Sequence, residues 1–269
     1  MAFLPQGDPV VLEIDVSTLR RSGVLDLLAG AKVAEEPEYK AFVAGTGFDY
    51  RSDLDLILAA FQKESSYYLL RGRFDWKRIT AYAAGQGGLC RNSFCRVVGS
   101  TPKRNISFFP LRPGVMALAV STDAWAASDL MARKERKFAF QPPGDPVWLH
   151  LPASRLKDTE NLPAGTRLFA KAMESADRVT LSLAAQEGRF EARLDVACRT
   201  AQDASVLSFQ LEGVTRLLRS LINREKQTPN PGDLSGLLAK GSFHHQDRRV
   251  LGRWPVQREF LERLTGGSL

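Results

Sequence analysis

The sequence predicts an α+β protein made of two related halves, each a mainly antiparallel sheet with helices packed on one face. Three observations carry this. Strand-like segments come as hairpins and runs, not in strict alternation with helices. One arm alternates cleanly, with Phe190, Ala192, Leu194 and Val196 on one face and Glu191, Arg193 and Asp195 on the other, as in a sheet with one wet side. And the opening of the chain recurs at its midpoint: DPVVLEIDVSTLR from Asp8 and DPVWLHLPASRLK from Asp145 match at Leu12/Leu149, Ser17/Ser154, Leu19/Leu156 and Arg20/Lys157. The expected halves are residues 1–141 and 142–269, possibly one continuous domain.

In the first half, VVLEIDV reads as a buried strand, and STLRRSGVLDLLAG and the segment around YKAFVAG as helices. Ser52 with Asp55 has the spacing of a capping box, so SDLDLILAAF is expected to be a helix. SSYYLLRGRF follows as a strand, and Asp75 caps a helix over WKRITAYAAG. CRVVGS is a short strand. ISFFPL and VMALAVS flank Arg112-Pro113-Gly114, where proline sets φ and glycine accepts a positive one, so they form a hairpin. DAWAASDLMARKERK closes the half as a helix with its cations at the C-terminal end.

In the second half, VWLHLP is a strand and AGTRLFAKAMES a helix. RVTLSLAAQ and RFEARLDVAC pair around Glu187-Gly188. Thr200 and Asp203 cap a long helix over ASVLSFQLEGVTRLLRSLINRE. Asn230, Pro231 and Asp233 supply an N-cap, a first-turn proline and an acidic first turn for DLSGLLAKG. RRVLGRWPV is the last strand and VQREFLERL the last helix.

Composition sets aside several functions. The chain has 269 residues, 44% hydrophobic and 25% charged, ordinary for a globular protein. Its net charge of +7 is shared almost equally between the halves, whereas a nucleic-acid binder gathers its cations into a patch with exposed aromatics. No specific nucleic-acid role is expected, and no stretch approaches the ~18 apolar residues of a membrane-spanning helix. MAFLPQGDPVVLEID has neither a basic start nor a long apolar run, so no signal peptide is visible.

The candidate sites are few. Cys90 and Cys95 in GLCRNSFCRVVG bracket a tight loop, Arg91-Asn92-Ser93-Phe94, and can face each other across its base. Facing residues there stand about 5.5 Å apart at Cα, a span a disulfide bridges. Two free thiols remain open, as does a metal, although the spacing lacks CxxC and a histidine partner. A disulfide would place the protein in an oxidising compartment. Cys198, at the end of an alternating strand, reads as a buried small hydrophobe.

His244, His245 and Asp247 invite a metal reading with His150, but strand neighbours point to opposite faces, and surface histidines beside a loop are expected. Asp49, Asp53 and Asp55 lack the glycine and the distal glutamate of a calcium loop, and helix capping explains Ser52 and Asp55. Neither a metal nor a cofactor is expected. Arg71, Arg73 and Trp76, in RGRFDWKR, are the best ligand-binding candidates, since two arginines on one strand face can grip an anion. The plainer reading makes both arginines a solvated face paired with acids such as Asp75.

TGFDYRSDLDLILAAF, then YYLLRGRFDWKRITAYA, then a hairpin ending in LAVS, and finally VLGRWPVQREFLERL resemble a pattern found in uncharacterised exported bacterial proteins, often lipoproteins. The resemblance covers most of the chain and brings no catalytic residue. It implies an envelope location with a removed leader, periplasmic or extracellular, and agrees with a Cys90–Cys95 bridge; a cytoplasmic location is the alternative. The expected function is a non-enzymatic extracytoplasmic binding or scaffold module for a protein or envelope component. Such a module presents an apolar or aromatic surface in place of a deep polar pocket. The alternatives are a hydrolase-type enzyme whose site assembles only in three dimensions, and weak binding of acidic polymers through dispersed Lys and Arg. Oligomeric state is left open.

Overall fold

Asp15 shows how the first unit begins. Its carboxylate accepts from Thr18 N (2.8 Å), Thr18 Oγ1 (2.8 Å) and Ser17 Oγ (2.7 Å), turning the chain from strand β1 (Val10–Ile14) into helix α1 (Val16–Arg21). The computed structural model describes residues 3–5, 7–27, 36–99, 101, 104–131, 141–157, 164–186, 189–224, 230 and 232–266. It separates into two compact units, one of residues 1–21 and 31–142, the other of residues 22–30 and 143–269. The fold is α+β, and its sheets are antiparallel throughout the pairings described below.

After α1 the first unit continues with α2 (Pro37–Thr46), the single turn α3 (Tyr50–Asp53), β2 (Leu54–Phe61), β3 (Ser65–Gly72) and α4 (Trp76–Gly85). Then come β4 (Leu89–Arg91), β5 (Phe94–Val98), β6 (Asn105–Arg112), β7 (Val115–Ser121) and a 3-10 turn (Ala126–Leu130). The strand order is β1-β2-β3-β7-β6-β5-β4. Helix α4 lies on one face of this sheet. On the reverse face, Ala127 N donates to Ser107 Oγ (3.0 Å) and Tyr67 OH to Asp129 (3.0 Å), holding the 3-10 turn.

The second unit runs β8 (Val147–Pro152), α5 (Ala164–Ala172), β9 (Arg178–Gln186), β10 (Arg189–Ala197), α6 (Ala201–Arg224) and α7 (Leu234–Leu238). It ends with β11 (Ser242–Gln246), β12 (Arg249–Val256) and α8 (Arg258–Gly266), and its strand order is β8-β9-β10-β12-β11. Ala204, Leu207, Leu211 and Leu218 of α6 pack on Val179, Leu194, Val196 and Val250, with Phe169, Phe243 and Trp254 in mutual ring contact beside them. The two units thread their strands alike. The first strand pairs with the second, the second with the third, and the third with the later arm of the closing hairpin. The first unit adds one hairpin, β4–β5, beyond β6.

Three expectations change. Residues 54–61 form a strand, not the helix expected over 52–61. The cap belongs to Asp49, which accepts from Arg51 N (2.9 Å) while Asp53 accepts from Asp49 N (2.9 Å), so the helical turn lies upstream. Leu58, Ala59 and Ala60 are consecutive and all buried, so both faces of β2 are covered there, while β1 and β3 satisfy its two edges. The helix expected over 123–137 is a 3-10 turn where described; residues 132–140 lie outside the described residues. Asp233, not Asn230, caps α7, accepting from Gly236 N (2.7 Å). Ser242–Gln246, given no element from sequence, is β11, paired with β12 from Ser242–Arg253 to Gln246–Arg249. Glu187-Gly188 lies outside the described residues.

Candidate functional site

On the helix-covered face of the first unit, alternate strand residues form rows across the sheet. Leu70 of β3 faces Met116 of β7; Tyr68 faces Leu118, which faces Phe108 of β6, which faces Cys95 of β5; Ile106 faces Val97. Period-two alternation puts all of these on one side, with Ser107, Phe109, Ala117 and Ala119 on the other. Helix α4 turns Ile79, Tyr82, Ala83 and Gln86 towards the rows, spaced i, i+3, i+4 and i+7. Helix α2 contributes Phe42 and Thr46, and the connections add Phe48 and Phe74.

These side chains do not close on one another. Between the two helices and the sheet they leave a cavity of about 280 Å³. Its wall is aromatic and aliphatic: Phe48 stacks on Phe74 at 5.1 Å, and Phe42 meets Tyr82 edge-on at 5.5 Å. Thr46, fully buried, spends its hydroxyl locally, donating to Phe42 O (2.7 Å) and accepting from Phe48 N (3.1 Å). Gln86, at the exposed end of α4, and Tyr82, through its phenol, are the other polar lining side chains. No charged side chain is among the lining residues. The site can gain from burying apolar surface and from ring contacts.

The helices that roof the cavity are held at fixed separation. Arg78 of α4 reaches the end of α2, donating from Nη2 to Ala44 O (2.6 Å) and from Nε to Gly45 O (3.3 Å). At Gly45 a Cβ would stand 2.5 Å from the Tyr82 ring, so glycine is what lets the helices touch there. Tyr39 OH donates to Asp49 (2.7 Å); burial and this carboxylate both push its phenol upward.

Cys90 and Cys95 are joined in a disulfide. They are register partners in the β4–β5 hairpin with Cα atoms 4.1 Å apart, closer than the 5.5 Å expected, because they form a narrow pair. Asn92 (φ 48°) and Ser93 (φ 65°) make the two-residue turn with both central φ positive that suits a hairpin twist. Cys95 is wholly buried in the apolar cluster with Ile79, Ala83, Phe108 and Met116, and Cys90 Sγ lies 3.8 Å from Thr80 O on α4. The bridge therefore pins the outer wall of the cavity, where Val97 stands.

The other expected site residues are dispersed. Arg71 is exposed at the end of β3, on the sheet face away from the cavity. Arg73 donates from Nε (3.2 Å) and Nη2 (2.9 Å) to Asp53 Oδ1, and Nη2 also donates to Ser52 O. Its acid is Asp53, not Asp75, whose carboxylate accepts from Arg78 N (3.1 Å) as the α4 cap. Trp76 packs beside the cavity against the same cluster, in ring contact with Phe74 at 5.7 Å. His150, on β8, lies 3.4 Å from Thr180 Oγ1, while His244 and His245 are on β11 at the opposite edge of the second unit's sheet. Among the described residues no three His, Cys, Asp or Glu gather as a metal would need. Cys198 is a buried free thiol, and burial pushes it up. The cavity itself was not expected from sequence; the Ile79, Tyr82, Ala83, Gln86 stripe marks only the face of α4 that lines it.

Fold and site together define an α+β protein with an open-sided apolar pocket in its first unit. Among solved structures the chain is similar to TP0453. It matches crystal form III with a TM-score of 0.55 at 10% identity, over 99% of this chain and 97% of that one. Crystal form IV matches with a TM-score of 0.55 at 13% identity over 99% and 94%, and crystal form I with 0.56 at 12% over 97% and 94%. At these identities the likeness is one of fold. No protein-family model and no curated protein matches the chain.

Proposed function

We propose that this chain is a non-enzymatic, extracytoplasmic binding module whose first unit takes up a small apolar ligand, one chain or ring in width, between α2, α4 and the sheet. The cavity carries the reading. At about 280 Å³ it sits at the small end of ligand sites, and its lining is apolar, so an apolar guest gains by leaving water for it. The Cys90–Cys95 bridge supports the location, since disulfides persist in oxidising compartments. So does the resemblance of the sequence to exported envelope proteins, with an apolar envelope component as the ligand class. Common strand threading and the recurring Asp-Pro-Val support descent of the two halves from one ancestor, with the cavity-walling hairpin added to the first. No helix among the described residues is long and apolar enough to cross a membrane.

The test is titration with N-phenyl-1-naphthylamine, whose emission rises on leaving water, on the wild type and on Ala83→Phe, which fills the cavity from α4. Saturable binding weakened at least about tenfold by the substitution, with an unchanged far-UV spectrum, is expected. Equal binding by both proteins, or none by the wild type, would remove the reading.

A further inference from the structure

Helix α6 is apolar on two sides. Its inner side, through Ala204, Leu207, Leu211 and Leu218, builds the core of the second unit. On the opposite side Val206, Phe209, Leu217 and Leu221 are 46, 69, 49 and 44% exposed. From Val206 to Leu221 they form one stripe about 22 Å long. Gly213 sits at its middle. A Cβ there would meet nothing within 4 Å, so nothing inside the chain requires a glycine, although helix interiors disfavour one. Gln210 and Ser220, the polar residues between, are uncharged. Charge lies at the ends, Asp203 in the first turn and Arg224 in the last, while Arg216 covers the Phe209 ring at 5.6 Å and stands 4.0 Å from Glu212.

We infer that this stripe pairs antiparallel with the same stripe of a second copy of the chain, about a two-fold axis passing through Gly213. The stripe is self-complementary about that point, as an isologous contact must be. Phe209 falls beside the partner's Leu217 and Val206 beside the partner's Leu221. Asp203 at each end meets the partner's Arg224, whereas a parallel pairing would set Asp203 on its own copy. The missing side chain at Gly213 lets the backbones approach on the axis. A helix lying on a lipid surface carries free cations along its polar flanks; here two acids, Asp203 and Glu212, stand among three arginines, Arg216 is paired with Glu212, and Arg219 donates to Ala239 O and Gly241 O, which favours the protein partner. Two such stripes bury on the order of 800 Å², below the roughly 1,200–2,000 Å² of stable interfaces. The dimer therefore forms at high protein concentration.

Sedimentation equilibrium of the full chain across a concentration series tests this. The average mass should climb from the 29.8 kDa monomer towards twice that value. Phe209→Glu, at an exposed position, should weaken association at least about tenfold. Gly213→Cys should cross-link to a covalent dimer under mild oxidation while Gln202→Cys does not, which keeps the geometry testable even if one variant folds poorly. A chain that stays monomeric at its solubility limit, or cross-links equally from both positions, would overturn the proposal. So would a monomer that binds phosphatidylglycerol vesicles through Phe209.

Discussion

Reducing the Cys90–Cys95 bridge isolates one contribution to the stability of the first unit. Both sulfur atoms are retained and need only draw apart to thiol contact, so most of the packing around the fully buried Cys95 is kept while the covalent closure is lost. The cysteines are separated by 5 positions in sequence, and the loop-entropy relation assigns such a closure about 2 kcal/mol. For a unit of this size, that loss lowers the melting temperature by about 6–10 °C. The assay is calorimetry with and without a phosphine reductant, with thiols counted by alkylation after unfolding. One reactive thiol, Cys198, is expected from the oxidised chain and three from the reduced one. Reduction also frees the strand that holds Val97 against the cavity, so naphthylamine binding should weaken in the same sample. Three counted thiols with an unmoved transition would refute the reasoning, since hairpin and core would then hold β4 without the bond.

Two further outcomes follow from local geometry. Gly72→Ala places a Cβ 2.2 Å from Asp53 O, backbone against backbone, and should cost about 1–3 kcal/mol in urea unfolding, because neither strand β3 nor the turn at Asp53 can yield without losing pairing. For acid, burial alone would raise the Asp15 carboxyl, but the bonds from Ser17 and Thr18 outweigh it; at Asp53 burial is likewise outweighed by Asp49 N and Arg73. Both folded carboxyls thus lie below their ordinary value, so the stability they contribute is present above the unfolded pKa and is lost as pH falls through the lower folded values. Melting temperature should drop as pH falls below about 4, and Asp15→Asn with Asp53→Asn should flatten that drop.

Local chemistry was readable where it was self-contained. The Asp75 cap, the Thr200–Asp203 box, with its reciprocal bonds of 3.1 and 3.0 Å, and the alternation of β10 each depend on residues within one segment, and each is present. The Ser52–Asp55 signal misled because Asp49 and Asp53, four apart, make the turn's own bonds upstream, and because a run such as Ile57-Leu58-Ala59-Ala60 is equally at home in a buried strand. That choice is made by β1 and β3, which the local sequence does not contain. The cavity was less visible still. Phe42, Phe48, Leu70, Ile79, Val97 and Phe108 come from separate segments, each apolar for reasons that a solid core would explain as well, and empty space between them has no residue to announce it. Arg73 was legible as a charge but not in its partner, since Asp53 is brought to it only by the β2–β3 pairing.

The hairpin that walls the cavity also finishes the sheet. Strand β4, outermost in the first unit, offers only three residues, one of them Arg91, before the chain turns back. A foreign strand would find little backbone to zip onto and a cation in its way. The same covalent tie that walls the pocket thus guards the protein against polymerising edge to edge, and loss of the bond in a reducing milieu would favour insoluble aggregates over simple unfolding.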